Sequence, residues 1–139
     1  MNLLEAKAID EAVVVAVRRV LPRVRAVYVY GSFARGDARA DSDIDIAVLL
    51  PVCEPLKDRF DLIGELGIQL CRDVDLIDLR TASDVLRREV LAEGRLIYAA
   101  DADEVLAWEA QAITRYGFYR YEVRELLDDF VRSGIGYRA

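Results

Sequence analysis

Gly31-Ser32, ten further residues and then Asp43-Ile44-Asp45 bring phosphate-binding and cation-binding groups together in one short stretch of a 139-residue chain. Side chains alternate along an extended strand. Asp43, Asp45, Ala47 and Leu49 would therefore share one face, and Ile44, Ile46, Val48 and Leu50 the other, as a core stripe. The two carboxylates would stand about 6.5 to 7 Å apart at their Cα atoms, near enough to lean onto one metal ion or a pair about 4 Å apart. Bare, their charges would repel. A hard divalent cation such as Mg²⁺ takes oxygen ligands of this kind and would neutralise them, usually together with substrate phosphates. The alternative, a pair of capping or surface carboxylates, sits poorly with the apolar Ile44, Ile46 and Val48 between and after them.

"GSFARG" reads as a single helical turn over Ser32 to Arg35, closed by Gly36. Its first amides and the Ser32 hydroxyl are suited to phosphate oxygens, and Gly31, lacking a Cβ, lets an anion come close. On its own a Gly-Ser pair is an ordinary turn; only the aspartates that follow give it meaning. Histidine is absent, so Ser-His-Asp and Cys-His nucleophiles, HExxH metal sites and histidine bases are all excluded. Chemistry in this chain falls to carboxylates, hydroxyls, arginines or metals.

Several elements must position these groups. Leu4, Ala8, Val13, Val14 and Val17 recur at helical spacing over Leu3 to Val20, and Pro22 marks the end. β-branched and aromatic runs over Arg25 to Tyr30, Ile44 to Leu50 and Val74 to Leu79 predict three strands. Leu62, Ile63, Leu66 and Leu70 predict a helix over Leu56 to Cys71. Ser83 offers a cap for a short helix that Gly94 stops, Leu96 to Ala99 a small edge strand, and Asp103 to Val131 a long helical stretch interrupted only by Gly117. The tail from Ser133-Gly134 is expected to fray. The segment between strands one and two makes a hairpin-like link. The expected fold class is α/β (α+β): a small mixed sheet flanked by helices, with a long C-terminal helix, in a single domain over 1–139.

A formal charge of −6 disfavours attraction to nucleic-acid phosphates or an anionic membrane, so no direct DNA binding is expected. Nothing approaches the roughly 20 apolar residues of a membrane span and no leader pattern opens the chain, which gives a cytoplasmic expectation. Cys53 and Cys71 form no CxxC and are expected as two buried, reduced thiols.

"GSFARGDARADSDIDIAVLL" matches the GSx10DxD signature of the DNA polymerase β-like nucleotidyltransferases and closely resembles their minimal nucleotidyltransferase branch. "SDVLRREVLAEGRLIYAAD" also resembles these small proteins, so the likeness covers most of the chain, strongest over 27–50 and weakest in the C-terminal helix. The resemblance implies a third carboxylate from a neighbouring strand, which "RDVDLIDLR" at 72–80 provides. Asp75 shares a face with Ile77 and Leu79, whereas Asp78 points with Val74 and Leu76, so one of the two can face the site. Asp75, early on the strand as in the family, is the expected third ligand.

By the same resemblance, Asp43, Asp45 and Asp75 would be catalytic and would hold two Mg²⁺ ions. Ser32 and the amides beside Gly31 would grip the β and γ phosphates of ATP. Arg35 and Arg39, in the loop between the Gly-Ser and the aspartates, could offset charge on the leaving pyrophosphate, although pairing with Asp37 or Asp41 in solvent is the favoured reading. The family's MntA-type antitoxins silence a HEPN-domain ribonuclease toxin by transferring AMP to one of its tyrosines, which makes such a toxin the expected partner. Two rivals stand beside this: adenylylation of a small hydroxylated molecule, as in the antibiotic-modifying relatives, and a non-catalytic antitoxin that acts by occlusion. An aromatic cluster at Tyr116, Phe118, Tyr119 and Tyr121 suits either packing within the chain or a partner surface.

Overall fold

The computed structural model describes residues 3–39, 41–56 and 59–133, and the backbone alone at 116–123, 125–127, 129–130 and 133. Nine elements follow in order: α1 (Leu3–Val20), β1 (Ala26–Tyr30), α2 (Ser32–Arg35), β2 (Ile44–Leu49), α3 (Arg59–Leu70), β3 (Val74–Asp78), α4 (Asp84–Glu93), β4 (Arg95–Ala99) and α5 (Ala102–Ser133). The strands form one sheet in the order β3-β2-β1-β4. β1 pairs antiparallel with both β2 and β4, while β2 and β3 are parallel because α3 carries the chain back to the same end. The mixed sheet with β4 at its edge is therefore as the sequence predicts.

Both faces of the sheet are covered. Val27, Val29, Ile44, Ile46, Val48, Val74 and Leu76 pack with Val13, Ala16 and Val17 of α1 and Leu66 of α3. Across the sheet, Ala26, Tyr28, Tyr30, Ala47, Leu49 and Ile77 pack with Val90 of α4 and Val105 of α5. The face carrying the aspartates is thus a second core and not merely the back of the first. Each fully buried Val or Leu contributes about 1.5–3 kcal/mol, and an unpaired charge among them would cost more. This confines Asp43 and Asp45 to the end of β2 where the sheet meets solvent.

Local signals set the element ends. Ser83 Oγ accepts from the Leu86 amide at 3.2 Å, capping α4. Gly94 donates its amide to Val90 O at 2.8 Å, in a position where a Cβ would run into the carbonyls of Val90 and Val29. Asp101 Oδ1 accepts from the amides of Asp103 and Glu104 at 3.0 and 3.2 Å, starting α5. That helix runs through Gly117 without a break. The expected helix over 56–71 is found as Arg59–Leu70, with 57 and 58 outside the described residues, as is the tail from Gly134. The side chains of Tyr116, Phe118, Tyr119 and Tyr121 also lie outside them.

The expectation of buried thiols is corrected: Cys53 and Cys71 are both exposed and free. Cys53 lies in the turn after β2, and Cys71 follows α3 in the left-handed region, φ 54. Apolar character alone does not bury a residue that terminates an element. Among the described residues no helix is long and apolar enough to cross a membrane.

Candidate active site

β1 ends at Tyr30 and the chain turns at Gly31, whose φ of 67 and ψ of −145 fall where side chains are rarely tolerated. A second constraint acts on the same residue: a Cβ there would collide with Asp45 Oδ2. Gly31 O accepts the amides of Ala34 and Arg35, both at 3.1 Å, and Gly36 closes the turn in the left-handed conformation with its amide on Ser32 O. This single turn leaves the Ser32 and Phe33 amides at its head, where helix geometry supplies no internal acceptor. Phe33 is buried and anchors the turn to the sheet.

The sheet register then aligns the acids. Tyr30 pairs with Asp45 across β1 and β2, and Asp45 pairs with Asp75 across β2 and β3. The three residues form one row on the α4 side of the sheet, with Asp43 just before β2. The Tyr30 hydroxyl donates to Asp75 Oδ2 at 3.3 Å, and Arg59 Nη2 stands 3.6 Å from Asp75 Oδ1. Burial raises the Asp45 carboxyl above the ordinary carboxylate range, and the nearby charges of Asp75, Asp43 and Glu89 push it the same way, against a smaller pull from Arg35. Burial also raises the Tyr30 hydroxyl, with Asp75 and Asp45 adding to it, so Tyr30 stays protonated and able to donate.

Asp78 lies elsewhere. It is buried on the opposite face, where Arg80 grips it through Nε at 3.1 Å and Nη2 at 2.7 Å while the Arg80 amide adds a bond at 2.9 Å. Burial alone would raise its pKa, but the Arg80 bonds and charge outweigh burial and hold it low. Arg80 also donates to the carbonyls of Pro51 and Glu54, both at 2.5 Å. This network braces the far end of the sheet and leaves Asp75 as the aspartate of β3 that faces Asp45.

Arg35 is in reach of Asp45 electrostatically, yet its Nε sits 3.4 Å from Asp37 in an exposed pair. Arg39 contributes backbone: its amide donates to Ser42 Oγ at 2.7 Å. Arg72 Nη1 donates to Arg39 O and Ser42 O at 3.3 and 3.4 Å, and its guanidinium lies 5.1 Å from the centre of the Phe33 ring. Arg72 thereby ties the loop before Asp43 to α2. The sequence reading gives Tyr30, Arg59, Arg72 and Glu89 no role in the site. Tyr30 alone carried a readable signal, being at the end of a strand directly before Gly31.

Among the described residues no three acidic groups are close enough to hold a metal ion as they stand. The donors nevertheless suit one: they are oxygens, they surround Asp45 with surplus negative charge, and among the described residues exposed arginines offset it. An oxygen-bound divalent cation is what such a cluster would accept.

Residues 15–103 match the family described as Polymerase beta, Nucleotidyltransferase. The chain belongs to this nucleotidyltransferase family. Protein adenylyltransferase MntA of Shewanella oneidensis is 32% identical over 124 residues, covering 89% of this chain and 88% of that protein. A crystal structure of the toxin-antitoxin with AMP-PNP matches with a TM-score of 0.71 at 31% identity, over 88% of this chain and 98% of the other. Tri-AMPylated Shewanella oneidensis HEPN toxin in complex with MNT antitoxin gives a further match, with a TM-score of 0.67 at 28% identity, over 91% of this chain and 98% of the other. A nucleotidyltransferase fold accounts for the strand order and for the turn that faces the aspartates. The relatives' full lengths are nearly all represented here.

Proposed function

We propose that this nucleotidyltransferase is an antitoxin that transfers AMP from ATP to a tyrosine hydroxyl of a partner HEPN-domain toxin and so neutralises it. The observation that carries the chemistry is the alignment of Asp45 with Asp75 beside the Gly31 turn, Asp43 standing at the head of the same strand. Similarity to protein adenylyltransferase MntA, and to the antitoxin of a complex whose HEPN toxin is AMPylated, supports the acceptor.

Asp43, Asp45 and Asp75 would hold two Mg²⁺ ions, which when bound neutralise the triphosphate and favour the attacking oxygen. The Ser32 hydroxyl and the first amides of α2 bind the β and γ phosphates. Arg35 turns from Asp37 toward those phosphates, giving up an exposed pair worth about 0–1 kcal/mol. Asp75 accepts the proton of the tyrosine hydroxyl as its oxygen attacks the α-phosphorus. The new O–P bond forms in line with the one that breaks, and pyrophosphate departs with the electron pair.

Incubating the chain with its HEPN-domain partner, ATP and Mg²⁺ tests this by intact-mass spectrometry. The expected result is a partner heavier by whole AMP units and no longer a ribonuclease. A partner silenced with its mass unchanged, or silenced equally by Asp43→Asn/Asp45→Asn, would show occlusion instead. Transfer to a small hydroxylated compound with none to the partner would favour the antibiotic-type alternative.

A further inference from the structure

We infer that Tyr30 is a positioning residue whose hydroxyl holds the Asp75 carboxylate in place beside Asp45. This rests on the nucleotidyl-transfer reading above and assigns a role to a residue outside the Gly-Ser and aspartate motif.

Three observations support it. Tyr30, Asp45 and Asp75 occupy one row across three strands. The Tyr30 side chain must therefore pass Asp45 to reach Asp75, and its hydroxyl does so, 3.3 Å from Oδ2. The ring is buried within the core beneath α4, so the hydroxyl is delivered from a fixed base and not from a mobile surface side chain. A phenylalanine would fill the same core volume, which leaves the oxygen without a packing purpose.

The chemistry of the donor also matters. Arg59, the other group on Asp75, is a cation on a half-exposed side chain that stands against Oδ1. It can hold the carboxylate only by cancelling the charge that a metal ion would need. A neutral hydroxyl fixes one oxygen and leaves the negative charge intact, with Oδ1 available once Arg59 withdraws. Partners of this kind, bonded to a ligand and not to the metal, orient the ligand and sharpen its affinity.

Tyr30→Phe tests the inference, with Mn²⁺ as a paramagnetic probe titrated in the presence of a non-hydrolysable ATP analogue. Circular dichroism checks that the variant keeps its fold. Loss of one hydrogen bond to a half-exposed carboxylate should weaken Mn²⁺ binding about three- to tenfold. AMP transfer should fall in kcat by a similar factor, with KM for ATP little changed. In an Asp75→Asn background the same substitution should add nothing, because Tyr30 acts through that carboxylate. Mn²⁺ binding by Tyr30→Phe equal to wild type, or an equal further loss in the Asp75→Asn background, overturns the inference. If the wild-type chain transfers no AMP, the proposed function fails, and the Mn²⁺ titrations still decide the role of Tyr30.

Discussion

Asp45 Oδ2 lies in the space where a side chain on Gly31 would begin. The turn proposed to meet phosphate and the carboxylate proposed to meet the cation are consequently in van der Waals contact. Gly31→Ala should both strain the backbone, by about 1–3 kcal/mol, and push Asp45 out of its row. Displacing a reacting group by an ångström can cost about a hundredfold in rate. Denaturant unfolding and AMP-transfer assays on the purified variant check the two effects, and full activity would show that the Asp45 position is not critical.

Asp45, a proposed cation ligand, should weaken the metal-free protein. Its pKa in the folded chain is raised above the ordinary 3.8, so the folded state holds the proton more readily than the unfolded state. Stability therefore falls as pH rises through the interval above 3.8, and at neutral pH the ionised group opposes folding. Asp45→Asn should melt higher than wild type at pH 7 without metal, the difference closing toward pH 4, while losing at least about a hundredfold in transfer. Mg²⁺ with an ATP analogue should raise the melting temperature of wild type and leave that of the variant nearly unchanged. Differential scanning calorimetry reads both.

For Asp78 the sign is opposite. Its folded pKa is lowered below 3.8 by Arg80, once burial is outweighed, so its contribution is complete above that value and is lost as pH falls below it. Asp78→Ala takes the carboxylate from the partly buried Arg80 guanidinium and should cost about 3 kcal/mol in urea unfolding at pH 7. Asp75→Asn should show the reverse pattern, with transfer lost and stability kept. Equal stability losses in the two variants would contradict the separate environments of these aspartates.

Exposed Cys53 and Cys71 should react with a thiol reagent in the native state. Two equivalents per chain are expected without denaturant, each removed by the corresponding Cys→Ser substitution. A requirement for urea would restore the buried reading.

Periodicity made the sheet and its helices legible, because alternation and helical spacing both follow from which faces must leave water. The candidate site was legible where it was local. Gly31, Ser32, Asp43 and Asp45 lie within 15 consecutive residues, and the face of Asp75 followed from counting along a single strand. What escaped the sequence depends on register between strands or on side chains arriving from afar: Tyr30 reaching Asp75, Arg59 covering its other oxygen, Arg72 holding a loop far from it in the chain. The cysteines failed for a different reason, since burial depends on where an element stops as much as on residue type.

The parallel pairing of β2 with β3 is closed only after α3 has crossed over, whereas β1 and β2 join through a short connection. During synthesis, a chain that has emerged only as far as α3 already holds Gly31, Ser32, Asp43 and Asp45 but lacks the partner strand altogether. On the proposed mechanism competence therefore waits until β3, an edge strand, docks beside β2, and a nascent fragment that ends before Asp75 lacks one of its three acids.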